Sequence, residues 1–149
     1  YIGGICGWQE EGNSGDYAHS HLQACYNCGE ILTDHDNDTG GILGCADTYV
    51  ATEDCINFGK VHYGNVAIEK KNGDSMIDVD DIYYLEGTGK TWKVDENKKF
   101  TKSDISTWEN FDELNWEKHW TMGYSVYSSV LGGQHPVLQV CPFQNVKWE

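Results

Sequence analysis

The chain has no arginine, and no lysine before Lys60, although ten lysines follow from there on. Without a guanidinium, nothing in it can form the planar two-pronged bond that recognises phosphate and carboxylate. Residues 1–59 carry ten acidic side chains, and the whole chain has a net charge of −14. Such a surface repels nucleic-acid phosphates and anionic lipid, so a partner there is expected to be cationic, neutral as a sugar is, or a metal ion. No apolar run approaches the roughly 20 residues that span a bilayer. The start, Tyr1-Ile2-Gly3-Gly4, lacks a basic segment followed by an apolar one, and reads as the start of a processed product. No Gly-x-Ser-x-Gly occurs, and no spacing among Glu10, Glu11, Asp16, Glu109, Glu113 and Glu117 selects an acid and a base. His62, His119 and His135 are equally unplaced, so no catalytic residue is nominated.

What is present is a core-forming composition. Hydrophobic residues make up 39% and aromatic residues 13% of 149 positions, which excludes a disordered tail and predicts one domain over residues 1–149. Residues 2–8 read as a glycine-loosened strand. From Asp16 the spacing of Ala18, Leu22, Cys25 and Cys28 predicts a helix ending at Gly29. Segments 61–68 and 76–85 are rich in β-branched and aromatic residues, and Asn72-Gly73 between them is a hairpin signal. Thr91–Val94 continues as a third strand. Ile105, Trp108, Phe111 and Leu114 predict a second helix behind Ser103, and 124–131 and 137–141 read as strands around Gly132-Gly133. No internal repeat stands out. The expected fold is mainly β, an antiparallel barrel or sandwich with one or two short helices.

Six cysteines in a small chain, Cys6, Cys25, Cys28, Cys45, Cys55 and Cys141, predict three disulfides if the protein is exported. Cys6 with Cys141 would close the longest loop, and Cys25 would pair with Cys45 or Cys55, leaving Cys28 the other. Asn37-Asp38-Thr39 is an acceptor triplet for an N-linked glycan, which agrees with export. Asp34, Asp36 and Asp38 are spaced so that a tight loop could turn them toward Ca2+. The EF-hand pattern fails, however, at Thr39 where glycine belongs and at Cys45 where glutamate belongs. His19, His21, Cys25 and Cys28 have the donors zinc prefers but not a finger's spacing. Cys25-Tyr26-Asn27-Cys28 lacks the βαβ setting of a redox pair. Trp8, Trp92, Trp116 and Trp120 are the candidate binding residues, as stacking platforms for sugar rings or as anchors of a protein interface.

The layout of Cys6 near the amino end, the Cys25/Cys28/Cys45/Cys55 cluster and the closing Cys141 resembles that of small secreted cysteine-rich fungal effectors and killer-type toxins. The resemblance implies a disulfide-stabilised, extracellular, largely β protein that acts by binding a host or target-cell protein, without catalysis. The expectation from a different class is a carbohydrate-binding module or small polysaccharide hydrolase using exposed aromatics.

Overall fold

The structure is a computed structural model that describes residues 2–9, 20–34, 39–46, 50–71, 77–78, 82–91 and 94–139, in two compact units, residues 1–99 and 100–149. In the first unit the chain winds through three coils. The first holds β1 (Ile2–Gly3), β2 (Cys6–Gln9), β3 (Ser20–Gln23) and β4 (Tyr26–Asn27). The second holds β5 (Thr39–Gly40), β6 (Leu43–Ala46), β7 (Val50–Glu53) and β8 (Cys55–Asn57). The third holds β9 (Ile68–Lys71), β10 (Ile77–Asp78) and β11 (Ile82–Leu85).

Each strand pairs in parallel with its counterpart one coil later. β1 pairs with β5, β6 lies between β2 and β9, β7 between β3 and β10, and β8 between β4 and β11. Single bridges join Ile31 to Val61, Gly40 to Asn65 and Asn65 to Lys90. This is the pairing of a parallel β-helix, in which each coil bonds only to its neighbours along the axis. Residues one coil apart therefore stack in register, as Asn27 does on Asn57. Ile42, Leu43, Ala46, Val50, Cys55, Ala67, Ile68 and Ile82 form the buried interior, with Cys6, Leu22, Cys25 and Val94 packed against it. A fully buried Ile or Leu of this kind contributes about 1.5–3 kcal/mol.

The mainly β expectation holds, but the antiparallel barrel or sandwich gives way to stacked parallel coils, and among the described residues no barrel closes. The reason is long-range pairing. β9 and β10, on either side of the expected hairpin, pair with β6 and β7 rather than with each other; Asn72-Gly73 itself lies outside the described residues. The helix expected over 16–29 is, from residue 20 on, two strands joined at Ala24. That residue has φ 53°, a left-handed conformation that breaks a helix as well as a strand. Asp54 repeats the corner one coil later with φ 57°.

After a single 3₁₀ turn at Glu96–Lys98, capped by the Asp95 carboxylate, β12 (Lys99–Phe100) crosses into the second unit. There the expected helix over 103–114 is a series of turns with one 3₁₀ turn at Trp108–Phe111. Ile105, Phe111 and Leu114 are buried as their spacing suggested, whereas Trp108 is not. β13 (Trp120–Gly123) and β14 (His135–Leu138) form an antiparallel pair in this unit, with Trp120 opposite Leu138 and Gly123 opposite His135. Between them the expected strand 124–131 is instead the one-turn helix α1 (Ser128–Leu131), which Gly132 stops at φ 93°.

Candidate functional site along the seam of the first two coils

The segments 20–31 and 50–61 stack with a constant offset of 30 residues, and polar side chains bridge them along their length. At the centre is a short asparagine ladder. Asn27 donates from Nδ2 to Asn57 Oδ1 at 3.0 Å and to the Gly29 carbonyl at 3.2 Å, while its own Oδ1 accepts from the Gly29 N–H at 3.0 Å. Asn57, wholly buried, donates in turn to the Gly59 carbonyl at 2.9 Å. Each asparagine thus holds the turn that follows its strand, and the first also ties two coils together. The third coil presents Tyr84 at this level, in register with Asn57, and the amide ladder ends there.

Glycine makes the approach possible. A Cβ on Gly41 would lie 2.2 Å from the Val66 carbonyl oxygen and 2.7 Å from Asn57 Cγ, and one on Gly4 would lie 2.1 Å from the Gly41 oxygen and 2.7 Å from Asn27 Cγ. Each ladder asparagine therefore rests on a glycine of its own coil.

On the outer side, Gln23 donates to Glu53 Oε1 at 3.0 Å, and His21 Nδ1 stands 3.7 Å from the same oxygen. Farther along the seam Glu30 Oε1 meets His62 Nε2 at 2.6 Å. These groups are largely solvent-exposed, so the pairs add little to stability. Their arrangement is a row of hydrogen-bonding groups, with two carboxylates, held on a rigid ladder.

The inner side carries sulfur. Cys25 and Cys55 occupy equivalent places after the two left-handed corners, each with its Sγ on the carbonyl two residues back, and each thiol influences the ionisation of the other. Hydrogen bonding by Cys55 to the ionised sulfur, outweighing burial, brings the Cys25 thiol down to about 7, while the same interaction and burial push Cys55 well up. Ionisation of the pair is favoured at Cys25, the less buried of the two. Burial pushes the Cys28 thiol up to about 12.

The residues nominated from sequence are dispersed. Trp8 is 45% exposed on β2, in register with Cys45. Trp116 is half-buried, donating Nε1–H to the Phe111 carbonyl at 2.8 Å and meeting Trp108 edge-on at 6.2 Å. Trp120 is 0% exposed and belongs to the core, so it is not available as a binding residue. Trp92 lies outside the described residues, as do Asp36, Asp38, Asn37 and Cys141. Asp34 is exposed, and among the described residues no group of three or more metal-ligating side chains occurs. Cys6, Cys25, Cys28, Cys45 and Cys55 are thiols in this structure, with no disulfide among them, so the expected three-disulfide staple is not seen. The stacked strands and the asparagine ladder hold the coils instead.

The signal that sequence reading passed over is a repeat. Gly3-Gly4-Ile5-Cys6-Gly7 returns as Gly40-Gly41-Ile42-Leu43-Gly44, and Cys25-x-Asn27-x-Gly29-x-Ile31 returns as Cys55-x-Asn57-x-Gly59-x-Val61. Both copies mark successive coils. No family model, curated protein or solved structure matches the chain.

Proposed function

We propose that this chain is a non-enzymatic recognition protein of effector or toxin type, working outside the cell and binding a host or target-cell protein through a basic patch on that partner. The observation that carries the reading is the outer row of the seam. His21, Gln23, Glu53, Glu30 and His62 are bridged across two coils beside a buried amide ladder, and the stacked segments 20–31 and 50–61 carry Glu30, Glu53 and Asp54 against a single lysine, Lys60. An acidic row on a paired backbone presents complementary charge at a smaller ordering cost on binding than a loop would. The tryptophans support it indirectly. A sugar platform wants aromatic faces in a row, whereas among the described residues Trp8 is the one tryptophan of β2, Trp108 and Trp116 meet edge-on and Trp120 is buried.

The test is titration of the full chain with a lysine-rich peptide and, separately, with a neutral oligosaccharide, followed by calorimetry and tryptophan fluorescence. Saturable, salt-sensitive binding of the peptide is expected, weakened roughly two- to fivefold for each of Glu30→Gln and Glu53→Gln. Saturable quenching by the oligosaccharide with no response to the peptide would overturn the reading in favour of carbohydrate binding.

A further inference from the structure

We propose that Cys25 and Cys55 are a dithiol that closes to a disulfide across the first two coils, Cys25 attacking an organic disulfide and Cys55 resolving the product. The inference does not depend on what the outer row binds, because it concerns the opposite face of the same ladder.

Position supplies the first part of the argument. Ala24 N–H bonds to the Glu53 carbonyl at 3.4 Å, and Ile56 N–H bonds to the Cys25 carbonyl at 2.9 Å, so the two cysteines are flanked by inter-coil bonds on both sides. Neighbouring strands stand about 4.8 Å apart, within the roughly 4.4–6.8 Å between Cα atoms that a disulfide bridges. Direction supplies the second. Each cysteine follows a residue in the left-handed region, Ala24 and Asp54, so the backbone aims both side chains the same way. Cys25 Sγ donates to the Gln23 carbonyl at 3.3 Å and Cys55 Sγ to the Glu53 carbonyl at 3.1 Å, the same bond two residues back in each coil. Cys55 Sγ also reaches across to the Leu22 carbonyl of the first coil at 3.4 Å.

Burial divides the labour. Cys55 is fully buried between Cys25 and Ile82 of the third coil, whereas Cys25 is partly open to solvent. An incoming disulfide can therefore reach Cys25 alone. The ready ionisation of that thiol gives it a thiolate near neutral pH, while Cys28, three residues on, stays protonated. With oxidised glutathione as the co-reactant, the Cys25 thiolate attacks one glutathione sulfur, the glutathione S–S bond breaks and one glutathione thiolate leaves. Cys55 then gives its proton to solvent and attacks Cys25 Sγ, and the second glutathione thiolate leaves. The two cysteines are oxidised by two electrons, and one glutathione disulfide is reduced to two thiols.

The experiment uses the full chain, reduced and then exposed to oxidised glutathione at pH 7, with cleavage after glutamate. Cleavage at Glu11, Glu30, Glu53 and Glu69 puts Cys25 with Cys28 on peptide 12–30, Cys45 on 31–53 and Cys55 on 54–69. The expected product links 12–30 to 54–69, in wild type and in Cys28→Ser alike. Cys55→Ser should stop at a stable adduct of one glutathione on Cys25. Cys25→Ser should take up glutathione roughly five- to tenfold more slowly. Iodoacetamide labelling of the unmutated protein provides a check that needs no variant, and Cys25 should be alkylated first. A cross-link that survives in Cys25→Ser, requires Cys28, or joins 31–53 instead would overturn the proposal, as would labelling of Cys28 ahead of Cys25.

Discussion

Replacing Asn57 by alanine tests whether the amide ladder, rather than sulfur, holds the first two coils together. Asn57 is wholly buried and makes two side-chain bonds, accepting from Asn27 and donating to the Gly59 carbonyl. Alanine leaves one Asn27 N–H and one Gly59 oxygen without partners, at about 1–3 kcal/mol for each buried group. Asn27 is 7% exposed, so water can recover part of the first loss. The expected cost is about 2–4 kcal/mol, a large fraction of the roughly 5–15 kcal/mol that a domain commonly has. Asn57→Asp should cost at least as much. A carboxylate can still accept from Asn27, but it places a charge in the interior and turns a second acceptor toward the Gly59 oxygen. Asn27→Ala together with Asn57→Ala should cost about 0.5–1.5 kcal/mol less than the sum of the single changes, because each breaks the same bond. Urea unfolding followed by far-ultraviolet circular dichroism gives all four values. A cost below about 1 kcal/mol for Asn57→Ala at unchanged denaturant slope, or an aspartate variant milder than the alanine one, would refute the argument.

Other expectations follow from the same structure. Gly41→Ala sets a methyl group 2.2 Å from the Val66 carbonyl and should cost at least about 3 kcal/mol by thermal unfolding, whereas Gly87→Ala, at φ 76° with nothing within 4 Å, should cost only about 1–2 kcal/mol of backbone strain. Equal losses would remove the claim that close coil contact selects glycine at 41. Trp120→Ala should destabilise the second unit by about 3–5 kcal/mol, and a surface-like loss would contradict its burial. His135 is buried, facing the Gly133 carbonyl at 3.0 Å through Nδ1 and the Ser125 hydroxyl at 2.9 Å through Nε2, and burial lowers its pKa below the ordinary 6.5. The unfolded state therefore takes up a proton that the folded state resists, so its share of stability is complete above pH 6.5 and falls as pH drops toward the folded-state value. For the His135→Gln variant, denaturant titrations between about pH 5 and 7.5 should show a shallower decline than wild type. An identical slope would exclude His135 as its source.

The sequence discloses composition-level properties more readily than pairing. Acidic charge and the buried positions Ile105, Phe111 and Leu114 follow from local chemistry and are found, whereas of the two β-branched segments 76–85 carries strand at Ile77–Asp78 and Ile82–Leu85 and 61–68 is mostly irregular, with strand only from Ile68. The coil architecture does not, because its bonds join residues 30 apart, beyond any window in which hydrophobic periodicity is read. Leu22, Cys25 and Cys28 happen to fall at helical intervals, and a single left-handed residue at Ala24 cancels that pattern. The tandem Gly-Gly-Ile and Cys-x-Asn-x-Gly segments held the information, and comparing the chain with itself would have shown it. Trp120 misleads for a simpler reason. Its sequence neighbours are polar, yet β13 turns its ring inward, which only the pairing with β14 decides.

Growth by stacking also determines where the chain can vary in length. The passage from β2 to β3 takes residues 10–19, that from β6 to β7 only 47–49, and that from β9 to β10 72–76, yet the strands on both sides keep step. Likewise the first coil reaches the second through 32–38, whereas the second reaches the third through 62–64. The two most generous passages are also where Glu10, Glu11, Asp16, Asp34, Asp36 and Asp38 reside. Equal spacing between strands is thus not what keeps the coils in step, so a residue added to or taken from a passage should leave the pairing of the strands on either side unchanged.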